Sequence, residues 1–346
     1  MLDAICNGAI YGAGTSNPNY GEILGVVWRK PDSEVVYNPD RTPPTRSTSW
    51  ASPPGTWSIS TNTTACRAAG SSTRTREFAT IFSSRACPWR CTYCHNSYGK
   101  KFRERSARHV LEEVDFLVSK YGVRELVFYD DIFNFKPDRA KAICRGLIDR
   151  NYGLKLTFPN GLRGDILDEE LVDLMTEAGM YRAMIAIESG VPRIQKVMKK
   201  NLRLPQTKKI VDYMATKGVM THGAFMLGFP TETREEMEET IRWARDSSFH
   251  TAAFYRVIPF KGTELFKQVE EAGHTLPTDW SHYEPYFSDI NVSAVPESEI
   301  SKIRRSAYFR FYLSPKRLWS IFRLIPNKLH MIPYLTLLFA RRATAR

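Results

Sequence analysis

From residue 78 onward, short β-rich apolar runs alternate with longer runs whose apolar residues fall at helical spacing. The pattern predicts strands over 78–84, 125–129, 155–158, 184–187, 223–229 and 252–258. Helices are expected over 107–121, 137–150, 168–178, 206–217 and 235–247, with Pro137 suited to a first helical turn. Repeated strand–helix units imply a parallel sheet covered by helices. Six of them predict an α/β fold, a partial (β/α)6 TIM-type barrel, rather than the eight-fold closed one. In such sheets the active groups belong at the C-terminal ends of the strands.

The first 76 residues break this rhythm. Runs at 26–28 and 34–37 read as a small hairpin. Residues 41–75 are crowded with Ser, Thr, Pro, Gly, Ala and Arg and hold neither period, so a flexible linker is the default.

At 346 residues the chain can bury a full core, and its ordinary globular composition excludes disorder throughout. A net charge of +12 looks at first like a nucleic-acid signature. No acidic residue follows Glu299, however, while eleven Lys and Arg do, so the basic character is a C-terminal property. There Tyr308, Phe309, Phe311, Tyr312, Trp319 and Phe322 interleave with the cations. Aromatics among basic residues can stack on bases, lie on an anionic membrane surface, or cap the barrel with their charges solvated. High apolar content ranks a helical cap with peripheral membrane contact above nucleic acid. The longest apolar stretch, 331–340, is broken by Pro333 and too short to span a bilayer, and no secretory signal is visible. A cytoplasmic protein is the expectation, with membrane association through the basic end.

The chemistry concentrates in Cys87-Pro88-Trp89-Arg90-Cys91-Thr92-Tyr93-Cys94. The spacing C-x3-C-x2-C offers three thiolates and no nearby fourth, which suits a cubane iron–sulfur cluster with one open iron. A structural zinc site wants four ligands, usually two C-x2-C pairs, and only Cys91 and Cys94 form such a pair. His95 would complete a zinc set only by straining the tetrahedron beside Cys94. A disulfide needs an oxidising compartment. Cys6, Cys66 and Cys144 look incidental, Cys144 being most simply a small buried apolar residue.

The cysteine loop follows the first strand, places Tyr93 just before its last cysteine and opens the strand–helix series. In this the chain resembles the radical S-adenosylmethionine (SAM) superfamily, with the resemblance covering residues 76 to about 270. It implies that Cys87, Cys91 and Cys94 hold a [4Fe–4S] cluster whose fourth iron is chelated by SAM. Reductive cleavage of SAM would then give a 5′-deoxyadenosyl radical that abstracts a substrate hydrogen, shielded by the barrel.

The same resemblance places Tyr93 beside the adenine and Asp130 or Asp131 at the SAM ammonium, although paired acids at a strand end can equally cap a turn. It assigns Glu188 to the ribose hydroxyls, an ion pair with Arg182 or Arg193 being the plainer role. Gly223, Phe225 and Gly228 fall on the glycine-containing strand whose main chain meets adenine, and Pro259 in the Pro259-Phe260-Lys261-Gly262 phrase completes the set.

Together with Pro159-Asn160-Gly161-Leu162-Arg163, these phrases look like the branch that carries a cobalamin-binding domain before the radical domain. That branch includes anaerobic magnesium-protoporphyrin monomethyl ester cyclase and many methylases. The implied function is radical SAM chemistry on an organic, lipid or tetrapyrrole substrate, with cobalamin-dependent methylation or cyclisation as the parent activity and a ferredoxin- or flavodoxin-type electron donor. The alternatives are a cobalamin-independent RNA-modifying radical SAM enzyme and a non-catalytic iron–sulfur electron-transfer protein.

Two departures stand out. Ala86 occupies a place where relatives usually have glycine, which would tighten the loop. A full cobalamin domain, with its D-x-H-x-x-G loop, is not seen before the radical domain, and residues 1–45 resemble only a remnant. The chain is therefore expected not to bind cobalamin well alone. Back-translating residues 46–67 one base out of frame permits IDELGFPAWDLVDLDEYYRVP, a string that looks like the branch's normal linker. Compensating frameshifts across 46–76 are the hypothesis, and close homologues carrying the same Ser/Thr text in an intact frame would sink it. The remaining divisions expected are a radical SAM core over 77–270 and a helical extension over 271–346.

Overall fold

A computed structural model of the chain describes residues 27–29, 35–39, 59–60, 74–75, 77–95, 98–284, 288 and 290–324. The chain divides into two units, Met1–Ser49 and Trp50–Arg346. In the first, β1 (Val27–Arg29) and β2 (Val35–Tyr37) pair antiparallel, with Val27 opposite Tyr37, which is the hairpin the sequence predicts.

In the second unit, six parallel strands follow one another in chain order: β4 (Phe78–Ile81), β7 (Glu125–Phe128), β8 (Lys155–Leu162), β9 (Met180–Glu188), β10 (Met220–Leu227) and β11 (Thr251–Arg256). This is the predicted partial barrel. The two-residue β3 (Ile59–Ser60) adds antiparallel to the outer edge of β4. A strand was not expected there; the rest of the 46–76 segment, residues 74–75 apart, lies outside the described residues.

Two strands differ from their predicted extent for local reasons. β4 stops at Ile81 because Ser83 and Ser84 turn aside to Asp130, and Ser84–Arg85 (β5) pairs instead with Arg103–Glu104 (β6). This antiparallel pair brackets the cysteine loop. β8 runs on to Leu162, but its register on β9 jumps from Phe158 opposite Ala183 to Leu162 opposite Ile185. Pro159, Asn160 and Gly161 bulge out of the ladder, as expected where proline cannot donate.

Helices cover the sheet. In α1 (Ala107–Tyr121) the buried Val110, Leu111, Val114 and Leu117 repeat at helical spacing, Ser106 caps the N-terminus and left-handed Gly122 closes it. α2 (Pro137–Arg150) begins on Pro137, and α3 (Glu169–Glu177) is capped by Asp168. Then come α4 (Pro192–Val197), α5 (Leu204–Thr216), α6 (Arg234–Arg245) with its Thr233/Glu236 capping box, and α7 (Glu264–Glu271).

Within the predicted 271–346 extension, the described residues form α8 (Glu297–Tyr312) and α9 (Pro315–Leu324) after a mostly irregular stretch over 272–296, and 325–346 lie outside the described residues. α8 buries Ile300, Ile303, Ala307 and Phe311 and seals the exposed edge of the sheet. The Tyr308 hydroxyl accepts the Phe254 amide at 3.1 Å, and the Tyr312 hydroxyl accepts the Ala252 amide at 3.0 Å. An edge strand covered in this way is blunted against pairing. At the base of the sheet, buried Glu125 accepts the Arg74 and Thr75 amides and the Tyr181 hydroxyl. Among the described residues no helix is long and apolar enough to cross a membrane.

Candidate active site

A cavity of about 570 Å³ opens at the C-terminal ends of the strands. Cys87, Cys91, Tyr93 and Cys94 line it together with Asn160, Arg163, Glu188, Lys200, Arg256 and Phe260.

The cysteine loop is held from three directions. The Thr92 amide donates to the Met198 carbonyl at 3.0 Å, and the Thr92 carbonyl accepts the Leu265 amide at 2.8 Å, which pins the loop between the ends of α4 and α7. Trp89 lies edge-on to Phe135 at 5.2 Å and beneath the Arg163 guanidinium at 4.2 Å. At the start of the loop, Ala86 has φ 69°, a left-handed conformation that glycine adopts without strain and that costs an alanine about 1 kcal/mol. Its amide donates to Asp131 Oδ2 at 2.8 Å, which anchors the strained turn. A glycine at this position would take the same conformation without that strain.

Among the described residues no three His, Cys, Asp or Glu side chains converge on a single metal ion. A cubane makes no such demand, because its cysteines bind separate irons. Three thiols on one loop facing a cavity therefore fit a cluster better than zinc. Burial pushes the Cys87 thiol up, and desolvation by the surrounding loop, followed by the neighbouring Cys91, pushes Cys94 up to about 11 although part of the residue faces solvent. Loading iron must displace these protons. Cys144 is buried, and its thiol is likewise pushed up to about 12 by burial.

Beside the cysteine loop, Glu188 ends β9 with φ 67°, a costly conformation for a non-glycine residue. Its Oε1 accepts both the Tyr93 hydroxyl and the Lys200 ammonium, each at 3.1 Å. Burial, then the Glu188 carboxylate, holds the Tyr93 phenol well above its ordinary value. The partner of Glu188 is thus Lys200; Arg193, a candidate from sequence, pairs with Glu236 at 2.6 Å. Ser189 and Gly190 bring the chain against α6: the Ser189 and Thr240 hydroxyls share a hydrogen bond, and a Cβ on Gly190 would meet Trp243 Cβ at 2.6 Å.

The paired acids separate by one residue of backbone direction. Asp130 turns into the core, where its carboxylate accepts the Ser83 amide and the Ser83 and Ser84 hydroxyls, and burial raises its pKa. It anchors the turn and does not line the cavity, whereas Asp131 does. β10 shows the same alternation. Gly223 and Phe225 face the helices, Phe225 stacking on Phe254 at 5.3 Å, and a Cβ on Gly223 would strike the Phe225 and Phe249 rings at 2.8 Å. The cavity side belongs to Ala224 and Met226. Gly228 turns the chain at φ 98° and gives its amide to Glu232. Pro259 is outside the lining, which its neighbours Ile258 and Phe260 provide.

Sequence reasoning missed Lys200 and Arg256, and it quoted Asn160 and Arg163 only within the Pro159–Arg163 phrase, without a role at the cavity. Lys199-Lys200-Asn201 reads as a solvated charge run, yet Lys199 and Asn201 both take left-handed φ and Lys200 is turned inward to 8% exposure.

A parallel partial barrel with a three-cysteine loop at its cavity is the class of protein that this fold and site define. Residues 81–244 match the radical SAM superfamily, and the chain contains a radical SAM domain. An uncharacterized methyltransferase of Pyrococcus horikoshii is 32% identical over 241 residues, which is 69% of this chain and 52% of that protein. The anaerobic magnesium-protoporphyrin IX monomethyl ester cyclase of Rubrivivax gelatinosus is 23% identical over 232 residues, 67% of this chain and 41% of the cyclase. The chain thus spans about half the length of these relatives. In fold it is similar to the radical SAM methyltransferase TsrM of Kitasatospora setae, solved with cobalamin and a [4Fe–4S] cluster. That match has a TM-score of 0.56 at 19% identity and covers 78% of this chain and 51% of TsrM. The radical SAM domain implies a [4Fe–4S] cluster and SAM as cofactors.

Proposed function

We propose that the chain is a radical SAM enzyme acting on a neutral, largely apolar organic substrate by methyl transfer or cyclisation. The observation that carries this reading is that Cys87, Cys91 and Cys94 open into the same cavity as Glu188, Lys200 and Tyr93. The three cysteines would hold the cluster, each through one iron. When bound, the reduced cluster supplies the electron that cleaves SAM and starts radical chemistry.

The chain's own groups divide the remaining work. Glu188 Oε1 is taken by Tyr93 and Lys200, while Oε2 has no partner among the described residues and would accept ribose hydroxyls. Lys200 neutralises that carboxylate and orients it. Ala224, Met226 and the main chain of β10, rather than Gly223 and Phe225, would meet the adenine, and Asp131 would keep the cysteine loop in position. Trp89, Ile132, Leu162, Met184, Ile258 and Phe260 form apolar walls that exclude water.

The charge of the lining supports this substrate class. Each cation lining the cavity is tied to a carboxylate, Arg163 to Asp165, Lys200 to Glu188 and Arg256 to Glu297. Among the described residues no lining cation stands without a carboxylate partner, which disfavours an anionic substrate. A ferredoxin- or flavodoxin-type donor would approach where Arg90 and Cys94 are exposed. Relatives named as a methyltransferase and a cyclase support the two reaction types.

Anaerobic reconstitution with iron, sulfide, SAM and a strong reductant tests the reading. We expect 5′-deoxyadenosine from the wild-type chain and none from Cys91→Ala. An intact cluster that neither binds nor cleaves SAM under reduction would overturn it.

A further inference from the structure

Helix α9 buries a charge and exposes two of its large apolar residues, while Ile321, Phe322 and Leu324 are half-buried. Its one buried side chain is Arg317, while Leu318 and Trp319 are 44% and 61% exposed. A helix on a soluble domain ordinarily turns its apolar stripe inward and its charges outward. Here the arrangement is fixed by hydrogen bonds. The Arg317 guanidinium donates to the carbonyls of Arg245, Ser247, Phe249 and Phe311 and stacks 3.6 Å over the Phe311 ring. With the arginine locked into the body of the domain, α9 cannot rotate to hide Leu318 and Trp319. Leu313, in the two-residue link from α8, is 68% exposed as well.

The acidic groups of α8, Glu297 and Glu299, are paired with Arg256 and Arg234, and the charge left unpaired on α8 and α9 is positive. Lys302 and Arg305 on α8 and Lys316 and Arg323 on α9 are exposed and make no ion pair among the described residues. Lys316, Trp319 and Arg323 follow i, i+3, i+7 and share one face of α9. The chain after Glu299 contains no acidic residue to answer them. Cations flanking outward-facing leucines and a tryptophan match a surface that is anionic outside and hydrocarbon beneath. Single-stranded nucleic acid would favour stacking rings; the exposed apolar residues here are Phe309, Leu313, Leu318 and Trp319, and the two most central to the α8–α9 link, Leu313 and Leu318, offer a base no ring to stack on.

We propose that α9 and the α8–α9 link dock on an anionic lipid bilayer. Leu313, Leu318 and Trp319 enter the boundary between headgroups and acyl chains, and Lys316 and Arg323 meet lipid phosphates. This surface does not rest on the reading of the cavity.

Flotation of the full chain tests it, using phosphatidylcholine vesicles with and without phosphatidylglycerol at low and high salt. We expect salt-sensitive flotation with the anionic vesicles alone. The Leu318→Ser/Trp319→Ser and Lys316→Gln/Arg323→Gln variants should each lower the partition coefficient about tenfold or more, with the far-ultraviolet circular dichroism unchanged. No flotation at low salt, or flotation indifferent to both variants, overturns the proposal. So does preferential binding of single-stranded RNA in competition with vesicles. Flotation gained only when the chain is ended after Leu324 also overturns it, by making residues 325–346 the occupant of this face.

Discussion

Lys200 and Glu188 meet at 3.1 Å inside the cavity, each with only 9% of its side chain exposed. A pair this buried adds little net stability over an apolar substitute, but removing one member strands the other charge. Lys200→Met should therefore lower unfolding stability by about 3 kcal/mol in urea titrations and weaken SAM binding. The Lys200→Met/Glu188→Gln double variant should be clearly more stable than the sum of the two single losses. Additive losses would show that the two groups are not coupled.

The cysteines offer a sharper contrast. Cys87→Ala, Cys91→Ala and Cys94→Ala should each lose the broad visible absorption of a reconstituted cluster and all 5′-deoxyadenosine formation. Cys144→Ala, at a buried position on α2 away from the cavity lining, should keep both. Iron and sulfide analysis of the four proteins checks this.

Burial pushes the Glu232 carboxyl up to about 7 from 4.5, although the Gly228 and Phe229 amides donate to it. The folded chain thus holds the neutral acid more tightly than the unfolded chain does. Its contribution to stability is full below about pH 4.5 and is lost as pH rises through about 7. His222 and His250 run the other way. Burial pushes both down to about 4, so their contribution is present above about pH 6.5 and lost as pH falls through about 4. The Glu232→Gln variant isolates the first effect. Relative to it, the wild-type chain should lose about 2 kcal/mol between about pH 5 and about pH 8 in urea titrations. A constant difference across that range would show that Glu232 does not titrate as its burial demands.

Arg317→Met should remove the donors of four main-chain carbonyls at once and destabilise the domain by about 3 kcal/mol or more. Hydrogen exchange should rise first in α9. Unchanged exchange there would mean that the helix is held by something other than this arginine.

Much of this molecule is legible in its sequence. The boundaries of α1 and α2 follow from Ser106, Gly122 and Pro137, and the six strands from their apolar runs. The cavity face of each strand is harder to read. β10 is covered on both sides, so Gly223, Ala224, Phe225 and Met226 form one apolar run without the polar alternation that would tell inside from outside. Asp130 and Asp131 fail for the same reason, since a single peptide unit decides which of two adjacent acids turns into the core. Lys200 and Arg317 were hidden differently. Both sit among other cations in sequence, and their burial depends on partners far along the chain, Glu188 for one and the carbonyls at 245–249 for the other.

The two tyrosines of α8 set a limit on what this protein can do with extended peptides. With the Ala252 and Phe254 amides already bonded to hydroxyls, β11 offers no template for a donated strand, whether from a neighbouring copy or from a polypeptide guest.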